Sequence, residues 1–376
     1  MGGVSSLVSA AHVAGETPDA AEELRRLMGG GRFSLVILLV SRAADFLTVV
    51  ADANAVFSGS RVVALLSDGE ICGRYLDCSI VAFGFAAEHF AVEATLVDDV
   101  AGREGEAAAA AVRHLRSAAY SPNAMMPHRF CLTLGCGRRV FEDIFTSAVA
   151  ATAEALPLIG GTVGRTGTHH DHALSLDGAV SPRGAVLMTF VTDCPVSLVC
   201  TDHLQPTAAR LVITSADPAR SVVHTINAVP AAAEFARIVG VAPDALSEEV
   251  FARHPLVFRM GNDHDVRTIA GVEEDGALAF CCRVETGMVL SLAEPGDMLG
   301  LLTRTLSGLT LPGVPEAVFV CDSTLRWAEA RDSGFAADIC ELFQQYRVVG
   351  LRTDGERCGS AYMSQTIAGV AIYPPT

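Results

Sequence analysis

Lysine is missing from this chain: all 27 basic residues among its 376 are arginine. That absence excludes a Walker phosphate loop, a pyridoxal Schiff base and every other lysine nucleophile. Arginine remains as a planar fork for carboxylate or phosphate. Eleven cysteines are present without a Cys-x-x-Cys pair, so zinc ribbons, thioredoxin-type motifs and covalent haem attachment are not indicated. Most, such as Cys131, Cys200 and Cys321, sit in apolar strand-like runs where a thiol behaves as a small hydrophobe, which points to reduced cysteines in a cytosolic protein. No apolar run reaches the roughly 18 residues of a membrane-spanning helix, and the N-terminus lacks a basic region followed by an apolar one. A soluble, cytoplasmic protein is the expectation. Positive charge is also short: the formal net charge of −16 argues against DNA, RNA or an anionic membrane as partner. The Gly-x-Ser-x-Gly, Gly-x-Gly-x-x-Gly and His-Glu-x-x-His signatures are missing too, which leaves catalysis thinly supported.

What is present is a repeated stretch. Arg61 to Gly73 returns as Arg347 to Gly359, identical at 9 of 13 positions. Each copy reads as a short apolar strand running into a tight Asp-Gly-Glu turn, preceded by a strand and a helix. The pattern predicts an α/β protein of two related domains, each a mixed sheet with packed helices, arising from internal duplication.

Along the chain, residues 1–30 form an N-terminal segment with one helical pattern, roughly Pro18 to Met28. Phe33 to Val40 is a continuous apolar run, read as a strand buried on both faces. An amphipathic helix follows, with Phe46, Val49, Val50, Ala53 and Phe57 on one stripe and Gly59 as its stop. Ser79 to Phe85 and His89 to Val97 read as an antiparallel pair, and Glu104 to Ala119 as an alanine-rich helix. Another strand–helix–strand unit runs from Phe130 to Leu134, through a helix carrying Phe145 and Val149, to Leu156–Ile159 and Gly160-Gly161. Composition turns at Thr201 to Thr207, which sets the expected division at 31–200 and 201–376. In the second half, strands are expected at 210–215, 221–226, 256–260, 266–272, 278–283 and 288–292. Pro230 and Gly240 bracket a helix; further helices carry Met298 to Leu309 and Phe335 to Phe343.

With these elements placed, the residues resemble a known family. The strand ending in Cys321, then Arg326, Val349-Gly350, Thr353-x-Gly355-Glu356 and Gln365-Thr366 resemble the C-terminal FIST domain. Ser67-x-Gly69-Glu70-Ile71 and Leu156-Pro157-Leu158-Ile159-Gly160-Gly161 resemble the N-terminal one. Ser364, Asp354 and His203 depart from the family's usual residues. The resemblance implies a sensory module that binds a small ligand and acts on a signalling partner in trans. One branch consists of haem proteins that sense nitric oxide and regulate histidine kinases or cyclic-di-GMP enzymes, which would make haem b the cofactor. Amino-acid sensing is another implied role, and a homodimer is compatible with either.

Candidate ligand residues are Asp68, Gly69, Glu70, Arg326, Thr353, Gly355 and Glu356: carboxylates can accept from a ligand amine, and glycine amides can meet an anion. The same Glu can instead satisfy amides within its own turn. For haem, an axial ligand is sought at His203, His254 or Cys194, the last in a Cys-Pro dipeptide. His169, His170 and His172 flank Asp171 with transition-metal donors, though adjacent ligands in one loop seldom complete a site. A hydrolase or transferase using the acidic turns stays as the enzymatic alternative.

Overall fold

The computed structural model describes residues 6–99, 103–119, 126–136, 145, 148–149, 156–163, 172–261, 263–309, 313–359 and 361–375. Three six-stranded sheets share one pairing pattern. In the first, strand Phe33–Ser41 runs parallel to Arg61–Ser67 and antiparallel to Ser79–Ala86, which pairs outward with the edge strand Val8–Ala14. In the second, His128–Gly135 is parallel to Leu158–Thr162 and antiparallel to Gly184–Thr192, with Phe90–Asp98 at the edge. In the third, Ala317–Ser323 is parallel to Val348–Thr353 and antiparallel to Ile367–Ile372, with Val196–Thr201 at the edge.

Each sheet is completed by a hairpin belonging to another. After Arg61–Ser67 the chain leaves for the third sheet, where Glu70–Cys72 pairs with Val348–Thr353 and Tyr75–Leu76 adds the edge. After Leu158–Thr162, Leu174–Leu176 and Ala179–Ser181 join the first sheet. After Val348–Thr353, Gly355–Cys358 and Ala361–Met363 join the second. The two copies of the repeated stretch thus hold equivalent places, and a third place exists whose sequence is not a visible copy.

The inner faces of the three sheets share one core. Leu35, Ile37 and Leu39 point into it, with Phe83 packed 5.1 Å from Phe319 of the third sheet and Phe85 4.8 Å from Phe190 of the second. Phe130 stacks on Phe190 at 4.3 Å. Fully burying each such side chain is worth roughly 1.5–3 kcal/mol. The intervening residues Val36, Leu38 and Val40 face outward under the helices Ala20–Leu27 and Phe46–Val56, which is why the run from Phe33 carries no polar alternation. Helices Met298–Gly308 and Ala336–Gln345 cover the third sheet in the same way. Asp45 and Asp297 cap their helices by accepting from Thr48 N and Gly300 N.

Between the strands Val196–Thr201 and Ala317–Ser323 lies an eight-stranded antiparallel sheet with its own core around Leu211, Ile213, Phe235, Phe251 and Phe280. Its helix Ala231–Val239 begins after Pro230 and ends at left-handed Gly240, as the sequence predicts. No helix among the described residues is long and apolar enough to cross a membrane.

Some expectations are corrected. Phe90–Asp98 pairs with Gly184–Thr192 and not with Ser79–Ala86, because the turn at 87–89 carries the chain from one sheet to the next. The N-terminal segment holds the strand Val8–Ala14 beside its helix. The run 266–272 divides into Asp263–Arg267 and Ile269–Val272. The helix expected around Phe145 and Val149 lies mostly outside the described residues; both named side chains are buried.

Candidate ligand site at the carboxyl ends of the parallel strands

Glu70 and Glu356 begin the crossing hairpins, and neither has accessible surface. Ser67 Oγ donates to Glu70 Oε1 at 2.7 Å. Thr353 Oγ1 donates to Glu356 Oε1 at 2.6 Å, and Thr366 Oγ1 donates to Oε2 at 3.0 Å. The two acids lie on different sheets, opposite Leu351 and Gly161 respectively. In the remaining hairpin the same register position, opposite Leu65, is Leu174, and the hydroxyl's place two residues on from Gly161 is taken by buried Val163. A Glu–hydroxyl pair is therefore interchangeable with an apolar pair, as expected for a contact that latches a hairpin.

Burial, opposed by the Ser67 bond, pushes the Glu70 carboxyl up to about 7. Glu356 is pushed well above the usual range by burial too. Asp68 instead faces outward, where Arg42 Nε donates to it at 2.6 Å. Gly69 O accepts from Arg352 N at 2.9 Å, and Gly355 sits close beneath the Tyr362 ring, leaving no room there for a side chain.

The third sheet places a second polar group at its carboxyl end. Asp322 closes the strand Ala317–Ser323, and Arg326 lies one turn on in the helix Thr324–Asp332, so Arg326 Nε donates to Asp322 Oδ1 at 2.8 Å. Tyr75, from the hairpin contributed by the first sheet's chain, donates its hydroxyl to Asp322. Arg326 Nη1 lies 3.1 Å from His203 Nδ1, and His203 Nε2 lies 2.9 Å from both Glu329 oxygens. Because a guanidinium only donates, Nδ1 accepts and Nε2 carries the proton given to Glu329. Burial alone would lower Arg326; Asp322, Tyr75 and Glu329 more than offset it, and its pKa is raised.

Beside this chain of bonds lies the segment Ser364-Gln365-Thr366, buried throughout. Gln365 N donates to Ser323 Oγ at 3.1 Å, and Gln365 Nε2 donates to Ala252 O of the inserted sheet's short helix at 2.8 Å. Ser364 is hydrogen-bonded to Thr268 of the same inserted sheet. Gln365 has φ +56°, unusual for a long side chain, and its Oε1 is buried without a partner among the described residues. Open α/β sheets bind ligands beyond the carboxyl ends of their strands, and seams between substructures are favoured pockets.

The FIST N domain model matches residues 34–229 and the FIST C domain model matches residues 231–358. The chain belongs to the FIST family. No curated protein matches the sequence. The two FIST models meet at the start of the helix Ala231–Val239, within the inserted sheet.

The haem candidates of this FIST protein fall in three unrelated places. Both ring nitrogens of His203 are engaged, as above. His254 ends the short helix Glu248–Arg253 at the surface, its pKa lowered by burial and by Arg253. Cys194 lies at the opposite end of the sheets, its sulfur facing Asp193 and His89. A haem needs an axial ligand opening on an apolar slot; His203 has both ring nitrogens bonded and the Cys194 sulfur faces a carboxylate and an imidazole, so neither fits the group. A cavity of about 480 Å³, lined by Val8, Met28, Cys72, Gln344 and Arg347 among others, contains none of them. His169 and His170 lie outside the described residues. His172 is half-buried, its pKa lowered by burial and Arg42.

Sequence reading selects Arg326 but not its partners Asp322, Glu329 and Tyr75. It selects His203 for a different role, and it treats Gln365 only as a family landmark. The one available signal for Gln365 is its place next to the last strand, within that landmark.

Proposed function

We propose that this protein is a cytoplasmic sensor that binds a small polar ligand at the seam between the third sheet and the inserted sheet, and signals to a partner in trans. FIST domains are associated with signal transduction and small-ligand sensing. The observation that carries the site is Gln365: a buried amide oxygen without a donor among the described residues, on a backbone held in the left-handed region, bridging two cores. A ligand N–H or O–H group satisfies that oxygen, and the Arg326–His203–Glu329 relay beside it supplies charge of both signs. An amino acid or a similar zwitterion meets these needs better than haem with nitric oxide. The hydrolase alternative loses support because the glutamates of both turns are buried and latched to hydroxyls. Ligand that favours one arrangement of the seam over another transmits a signal through that difference alone; a histidine kinase or a cyclic-di-GMP enzyme is the class of receiver. The threefold recurrence of strand, helix, strand and crossing hairpin supports descent from one duplicated unit.

The test is native mass spectrometry of the purified protein, followed by calorimetric titration with a panel of free amino acids. One bound small molecule is expected, with Gln365→Ala and Arg326→Met each weakening its binding at least about tenfold while the fold persists. Binding that is indifferent to both substitutions overturns the site, and a Soret band on hemin reconstitution overturns the choice of ligand.

A further inference from the structure

At the opposite end of the sheets, far in topology from Gln365, two connections meet. The turn at 87–89 leads from the first sheet to the second, and the turn at 193–195 leads from the second to the third. Phe90 and Thr192 are the last paired rung of their antiparallel ladder, which sets His89 and Asp193 opposite each other just beyond it. Both turns are pinned. His89 N donates to Ala86 O at 3.1 Å, Cys194 N donates to Thr192 Oγ1 at 3.0 Å, and Pro195 O accepts from Tyr373 N at 3.0 Å.

Three different donor types converge there. His89 Nδ1 is 3.0 Å from Asp193 Oδ2, Cys194 Sγ is 3.4 Å from Asp193 Oδ1, and all three ligand atoms lie within 4.8 Å of one another. Zinc bonds of about 2.0 Å to nitrogen and oxygen and about 2.3 Å to sulfur give tetrahedral edges of roughly 3.3–3.5 Å. Measured to Asp193 Oδ1, the imidazole edge is 3.1 Å and the sulfur edge 3.4 Å, each within about 0.2 Å of those lengths, and the imidazole-to-sulfur edge is at most 4.8 Å.

We propose that His89, Asp193 and Cys194 form a binding site for a borderline-soft divalent transition metal of the zinc class, with the fourth position open to water. The mixed nitrogen, oxygen and sulfur set selects zinc or cobalt over magnesium or calcium, which take oxygen ligands. The His89 and Asp193 side chains are 26% and 29% exposed, which gives an ion access, while Cys194 is fully buried and anchors the inner ligand. Binding releases the thiol proton to solvent and leaves a thiolate on the metal, so affinity falls as pH falls. A bound ion staples the two connections just beyond the last rung of that ladder.

The full chain, reduced and stripped with chelator, is titrated with Co²⁺ alone and followed by absorption and by thermal unfolding. One equivalent should bind, giving visible d–d bands and a near-ultraviolet thiolate-to-cobalt charge-transfer band, and should raise the unfolding temperature. Cys194→Ser should abolish the charge-transfer band. His89→Ala, at a partly exposed turn position, should weaken binding by more than the 10–100-fold that loss of an outer-shell partner costs. Cys358→Ser, which removes a thiol at the other end of the sheets, should change nothing. Absence of the charge-transfer band, its survival in both site variants, or its loss in Cys358→Ser each overturns the proposal.

Discussion

Single carboxyl groups in this protein have measurable consequences for stability. Glu70 has a folded pKa of about 7 against an ordinary value of 4.5, so folding favours its protonated form. Its contribution is complete below about pH 4.5 and is lost as pH rises through 7, by up to roughly 3 kcal/mol. Glu356, raised by burial in the same direction, extends the decline upward. Glu70→Gln keeps an acceptor for Ser67 and removes the ionisation. Its stability relative to the parent should therefore improve from pH 5 to about pH 7 and level off above that in denaturant titrations. A difference that stays constant with pH would show that Glu70 does not titrate in this range. This behaviour was not legible in the sequence: an Asp-Gly-Glu triplet looks like an exposed turn, and nothing local says that the third residue starts a strand inside another sheet.

At the scale of elements, the parallel pairs depend on close backbone approach. Gly350, at φ +152°, would bring a Cβ to 1.8 Å from Val320 O, backbone against backbone. Its register equivalent in the second sheet, Gly160, meets Thr133 O at 2.1 Å, whereas in the first sheet the position is Ala64. Gly350→Ala should cost about 2–4 kcal/mol, while Gly271→Ala, with nothing within 4 Å, should be nearly neutral. Equal shifts of the denaturation midpoint for both would remove the steric account. Elements of this kind were readable where periodicity is strong. The Phe33 run, the helix from Phe46 and the helix Glu104–Ala119 appear where expected, since burial on two faces or on one stripe leaves a clear pattern. Val8–Ala14 escaped because small residues give little alternation, and Thr324–Asp332 because its outward face is charged. The pairing of Phe90–Asp98 escaped for a different reason: adjacency in sequence does not fix adjacency in a sheet when connections cross between sheets.

The whole molecule is held together by exchange. Residues 1–195 lack the hairpin that completes the second sheet, and residues 196–376 lack the one that completes the third. Expressed separately, each half should expose an unpaired strand edge and aggregate; co-expressed, they should form a soluble one-to-one complex. A monomeric half with cooperative unfolding would contradict this. The site inherits the same logic, because Tyr75 reaches Asp322 across 247 residues of sequence. That is why its composition could not be assembled from either half of the sequence alone.

The crossing hairpins also impose an order on biosynthesis. The first sheet can close once residue 181 has emerged from the ribosome, but the second waits for Gly355–Met363 and the third for the final strand Ile367–Ile372. Until those strands are made, two of the three inner faces stand incomplete over a shared apolar core. Closing those two faces therefore waits on pairings of long sequence separation, which form slowly compared with local contacts.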